Sequence, residues 1–102
     1  MRWMMQITVT SEDLALAYRE HSTGNVANTC PVFQALKRSG VPVWCVFLKR
    51  VLGVNSPLPS LPAAAQAVTI LHPRDWDEAI VGVTFEYPYE VPYVQNPTIP
   101  TP

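Results

Sequence analysis

Residues 30–40 read CPVFQALKRSG, and the reading of this stretch decides the fold. Pro31 stands where a helix tolerates proline best, because the missing N–H of a first-turn residue has no helical partner anyway. Val32, Ala35 and Leu36 recur at helical spacing with Phe33 beside them, which predicts one buried stripe. Lys37 and Arg38 fall in the last turn, where the helix dipole favours cations. Gly40 is placed as the left-handed terminator. A helix therefore starts near Cys30 and stops at Gly40.

Upstream, Trp3, Met5, Ile7 and Val9 alternate with Met4, Gln6 and Thr8, the period of a strand over about residues 3–9. In "TSEDLALAYREH", Thr10 and Asp13 are spaced as a reciprocal capping pair. Leu14, Ala17 and Tyr18 form a helical stripe, so a helix is predicted over roughly 11–20. Downstream, Val43 to Leu48 is apolar on both alternating sides, which predicts a strand covered on both faces. "GVNSPLPSLP" reads as a loop. "PAAAQAVTI" favours a helix over about 62–70, with a strand at "AVTIL" as the alternative. "HPRDWDEA" reads as a turn, and Val81, Val83 and Phe85 alternate in a closing strand.

The order predicts an α+β domain over residues 1–87. It has a small three-stranded, mainly antiparallel sheet with two to three helices on one face. Five of the last fifteen residues are proline, so 88–102 is expected to be an extended Pro- and Tyr-rich tail.

The composition narrows the partners. Of 102 residues only 15% are charged, well below the usual quarter. A surface so poor in charge suits burial against a partner protein or a second copy of the chain, and a homo-oligomer is expected. The net charge of −1 lacks the cationic surplus that nucleic acid demands. No apolar run approaches the length of a bilayer span. "MRWMMQITVT" lacks the apolar core of an export signal, so Cys30 and Cys45 are expected as free thiols in a cytoplasmic protein.

The fragments "QITVTSEDL", "CPVFQALKRSG", "LPAAAQ" and "VGVTFEY" together resemble a group of short proteins of tailed bacteriophages. That group shares an Ile-Thr-Val-Thr strand and a Cys-Pro-Val-x-x-Ala-Leu helix. The likeness runs over about residues 5–87 and is sharpest at Thr29-Cys30-Pro31-Val32 with Ala35-Leu36. "TILHPRDWDEAI" is longer than the group's pattern, and the Pro-rich tail is additional. The resemblance implies a phage origin and an accessory role in an infected bacterial cell, and it carries no catalytic residue across.

Three places suit a site. The first is the loop before the helix. Ser22, Thr23, Asn25, Asn28 and Thr29 offer neutral donors and acceptors, and Gly24 permits close backbone approach. With Cys30 and the amides behind it, this loop suits a phosphate-like anion; the plain alternative is a connector. It is not a P-loop, having no Gly-Lys-Ser/Thr. Cys30 itself is either a thiolate stabilised by the helix dipole or a cap, with Asn28 or Thr29 supplying an oxygen. The second place is "HPRDWD", where His72, Arg74 and Trp76 suit a nucleotide base and phosphate, or else Trp76 folds back on the core. The third is the tail, suited to docking.

His21, His72, Cys30 and Cys45 lack the paired spacing of zinc ligands. No metal, cofactor or catalytic residue is expected. Two functions follow as expectations. One is a non-catalytic counter-defence protein that sequesters a small anionic, nucleotide-like host signal. The other is an inhibitor or adaptor that covers a host protein with apolar surface and tail.

Overall fold

In the computed structural model, the residues described are 4–21 and 30–89. Residues 22–29 and those from 90 on, on which the expected anion-binding loop and extended tail fall, lie outside them.

Helix α2 (Pro31–Arg38) is the hub. Its residues Pro31 to Leu36 are all buried, so it sits inside the molecule and shows more than the single stripe the spacing predicts. It touches helix α1 (Ser11–His21), helix α3 (Ala63–Thr69), strand β1 (Met5–Thr8) and strand β2 (Val43–Phe47). Its end follows from Gly40, whose φ of 97° is reached without the Cβ penalty other residues meet. The Gly40 N–H donates to Lys37 O and the Val41 N–H to Leu36 O, both at 3.1 Å. That pair of bonds is a Schellman cap, sealed by the buried side chains of Val41 and Leu36. The predicted capping pair of α1 also forms. The Thr10 N–H donates to Asp13 Oδ2 at 2.9 Å, and the Asp13 N–H to Thr10 Oγ1 at 3.2 Å.

The fold is α+β: among the described residues there are three α-helices, a three-stranded antiparallel sheet and a two-stranded one. The strands are distributed differently from the simplest reading of the sequence. The chain's first strand, β1, pairs antiparallel with its last, β5 (Thr84–Tyr87), from Met5↔Tyr87 to Thr8↔Thr84. The Thr8 and Thr84 hydroxyls meet across this ribbon at 2.9 Å, a stabilising cross-strand pair. The three-stranded sheet has the order β2-β3-β4, with β3 at Arg50–Gly53 and β4 at Pro57–Leu58. β4 lies inside the stretch that reads as a loop. It has only two residues and begins at a proline, which an edge position tolerates. The turn between β3 and β4 requires Gly53, since a Cβ there would sit 2.5 Å from Ser56 O.

One expectation is overturned. β2 is not covered on both faces. Its pairing with β3 shifts register between Val43 and Cys45. This shift changes the alternation, so that Val46 joins Val43 in the core while Trp44 is 59% and Phe47 68% exposed. An extra residue in one strand breaks the two-residue alternation, and no composition signal announces where it falls.

The core runs from Ile7 and Val9 through Leu14, Val32, Leu36, Val51 and Val68 to Phe85 and Tyr87. Among the described residues no helix is long and apolar enough to cross a membrane.

Candidate functional site

Cys30 is the N-cap of α2, in extended backbone with φ −65° and ψ 156°. Its Sγ accepts the Phe33 N–H at 3.3 Å, and its carbonyl accepts the Gln34 N–H at 3.1 Å. Pro31 has no N–H to offer. The Phe33 and Gln34 amides, among the donors expected to await an outside anion, are thus engaged by Cys30 itself. The cap atom is its sulfur, not an oxygen of Asn28 or Thr29. Sulfur is a weak acceptor, which is why this residue type does not signal a cap in a sequence.

The thiol is not activated. Burial pushes it up from an ordinary value near 9 to about 11, overriding the downward pull of the Phe33 and Val32 amides. Some surface of the residue remains exposed, yet desolvation of the sulfur dominates. At neutral pH it is a thiol, a poor nucleophile. Both cysteines are free.

The raised value has a consequence for stability. The unfolded chain loses this proton first as pH rises, so the contribution is full below about pH 9. It is lost as pH climbs from there to about 11. Urea unfolding in reducing buffer is expected to show stability falling from pH 9 to 10, and Cys30→Ser to flatten that slope. An unchanged slope in the variant refutes the assignment.

Beside Cys30 lies a cavity of about 420 Å³, within the size range of small-molecule sites. Cys30 forms one wall. Val46, Phe47 and Leu48 at the end of β2 form another. Thr69, Ile70 and Leu71 close it from the end of α3, and His72, Pro73 and Trp76 complete it. Three sequence-distant pieces meet here: the Cys-Pro helix start, the β2 turn and the HPRDWD segment.

Trp76 does fold back on the core, being only 5% exposed. Its ring packs at 5.5 Å against Tyr18, tilted by 58°, and at 6.0 Å edge-on to His21. The Tyr18 hydroxyl donates to the Trp76 carbonyl. These contacts hold Trp76 as a fixed wall. Its Nε1, however, is buried without a hydrogen-bond partner, and so is His21 Nδ1 in the adjoining ring.

Of the residues singled out from sequence, the cavity brings together Cys30 and Trp76, with His72 between. Arg74 is exposed in the 3₁₀ turn Pro73–Asp75 and is not part of the lining. Ser22, Thr23, Gly24, Asn25, Asn28 and Thr29 lie outside the described residues. Sequence reasoning missed Phe47, Leu48 and Ile70. Leu48 carried a signal: it opens the two-residue turn between β2 and β3 with no Gly, Asn or Asp present. Its φ is 57°, a region bulky residues rarely occupy.

Further, more open depressions lie among the described residues. One runs between α1 and the 78–81 turn, beside Tyr18 and Glu78. The other lies beside Trp44 and the β3–β4 turn. Neither holds an unpartnered buried polar atom among the described residues. Nor do three or more His, Cys, Asp or Glu side chains gather anywhere among them as metal ligands. Comparison of the chain with known protein families, curated proteins and solved structures found no match.

Proposed function

We propose that this chain is a non-catalytic binding module that captures a small ligand in the cavity between Cys30, the β2 turn and Trp76. The convergence of Cys30 and Trp76 on one cavity carries the reading. Strain supports it. Leu48 holds a left-handed backbone at the cavity, and residues held in sparsely populated backbone regions cluster at ligand clamps and active sites. The resemblance to short phage proteins supports a setting in an infected cell, where such capture would sequester a host signal. A nucleotide-like ligand retains one support in Arg74, exposed in the segment that also carries Trp76. It loses the Phe33 and Gln34 amides, which Cys30 occupies.

Thermal unfolding against nucleotides, nucleosides and neutral aromatics tests the reading. A ligand at a hundredfold over its Kd is expected to add about 2.7 kcal/mol, and no shift with any of them removes the proposal. Leu48→Gly is a sharper probe. Relief of left-handed strain, less the entropy of glycine, is expected to stabilise the free protein by about 0.5–1 kcal/mol. The same change removes a rim side chain and should weaken ligand stabilisation. Loss of stability in the free variant contradicts the strain argument.

A second reading has its own observation. Trp44, Phe47, Val54 and Ile70 are large apolar side chains left exposed. They favour a surface that covers a host protein or a second copy of the chain. Sedimentation over a range of concentrations tests the second copy, and a monomer throughout removes the homo-oligomer.

A further inference from the structure

The turn between β2 and β3 keeps four consecutive side chains in water. Phe47 is 68% and Leu48 49% exposed, and Lys49 and Arg50 follow them, exposed as well. The backbone adds to the oddity. Leu48 holds a φ of 57°, which a side chain with a Cβ reaches only at a cost, and burial does not offset it. Two large apolar groups and two cations thus stand together at one tip.

A groove of matching chemistry lies on the same molecule. Between α1 and the 78–81 turn is a depression of about 410 Å³ lined by Ser11, Leu14, Ala15, Tyr18, Glu78 and Val81. The four α1 residues fall at helical spacing on one face. Tyr18 and Val81 remain 44% and 37% exposed. The segment leading into this wall carries three exposed acids, Asp75, Asp77 and Glu78, against one exposed arginine, Arg74. Among the described residues none of these acids is in an ion pair, and neither is Lys49 or Arg50. The chain's own tip does not fill the groove, since none of residues 47–50 lines it. The buried Trp76 stands between them: its ring packs on Tyr18 of the groove, and it also walls the cavity that Phe47 and Leu48 line.

We infer that the groove receives the β2–β3 tip of a second copy of this chain. Phe47 and Leu48 enter the apolar floor, while Lys49 and Arg50 meet Glu78 and its acidic neighbours. Every copy carries both halves, so each can give a tip and receive one. The inference goes beyond ligand capture. It rests on the reading of an apolar covering surface and commits that surface to a second copy. One tip in one groove buries less than about 1,200 Å², the range of weak and transient contacts, so the association is concentration-dependent.

Sedimentation of the full chain from about 10 µM to about 1 mM is expected to show association that weakens as salt rises, because the unlike charges are screened. Glu78→Lys breaks the groove, and Lys49→Glu with Arg50→Glu breaks the tip. These side chains are exposed, so the melting points of the variants should stay close to that of the unmodified chain. Each variant alone is expected to associate about tenfold or more weakly, since like charges then face each other. Mixed in equal amounts, the two should form a heterodimer, with the intact tip of the first seated in the intact groove of the second. Association that resists both charge reversals, or that the mixture does not recover, overturns the inference and leaves a homo-oligomer built on another surface. Association that is unchanged or strengthened by salt in the unmodified chain overturns it as well. A monomer up to about 1 mM removes the contact and the homo-oligomer together and leaves ligand capture untouched.

Discussion

Arg38→Ala is expected to destabilise the protein by about 2–3 kcal/mol, among the largest effects of any polar substitution in the chain. Asp13 is fully buried. Its carboxylate accepts Arg38 Nε at 3.1 Å on one oxygen and Arg38 Nη2 at 3.0 Å on the other, the latter oxygen also taking the Thr10 N–H at 2.9 Å. Arg38 Nη2 donates as well to Thr8 O at 2.7 Å. One side chain at the end of α2 thus ties together the start of α1 and the end of β1. Removing it strands a buried carboxylate with a single amide donor. Loss of one partner of a fully buried pair costs about 3–5 kcal/mol; the Arg38 side chain is 44% exposed, which screens the pair and lowers the figure. The melting point should fall by roughly 10–20 °C. Arg38→Lys keeps the charge without the two-pronged geometry and should fall between. Asp13→Asn in the Arg38→Ala background should recover part of the loss, since no charge is then stranded. A drop below about 1 kcal/mol for Arg38→Ala would show that solvent replaces the guanidinium.

The second large effect lies at Tyr87, the largest fully buried side chain. Its hydroxyl donates to Pro59 O at 2.6 Å. It thereby fastens β5, in the two-stranded ribbon, to the segment between β4 and α3. Tyr87→Ala should cost about 3–5 kcal/mol through the cavity it opens. Tyr87→Phe should cost about 1–2 kcal/mol, mainly because Pro59 O loses its partner. The two variants separate packing from hydrogen bonding, and equal losses would contradict that division. Burial raises the Tyr87 phenol above its ordinary value of 10.0, with the Coulomb effect of Tyr89 adding to it. The unfolded chain therefore releases this proton first. Stability is full below about pH 10 and declines above it, adding to the loss that Cys30 begins near pH 9. Tyr87→Phe should remove the steeper part above pH 10 and leave the Cys30 part in place.

Local chemistry was legible residue by residue. Pro31 and Gly40 bound α2, Thr10 and Asp13 cap α1, and "PAAAQAVTI" is helical at Ala63–Thr69. The candidate site was legible only in pieces. Cys30 and Trp76 stood out for unrelated reasons, and nothing in their spacing says that they share a cavity. Arg74 looked equivalent to Trp76 but points to solvent, as a long charged side chain in a short turn ordinarily does. Phe47 read as covered because its strand is apolar on both sides. Its exposure depends on a register shift that no periodicity reveals.

The sequence by itself determined the elements that depend on neighbours a few residues away: three helices, the capping pair of α1, the glycine end of α2 and the strands at either end. Tertiary structure alone decided that the first strand seeks the last, and that residues 43–58 fold into a sheet of their own. It alone decided that Asp13 is buried under Arg38 and that Cys30 and Trp76 line one cavity. The physical reason is range. Backbone propensity and capping act within a turn or two of chain, whereas sheet pairing, burial and unsatisfied donors depend on which distant surfaces exclude water from one another.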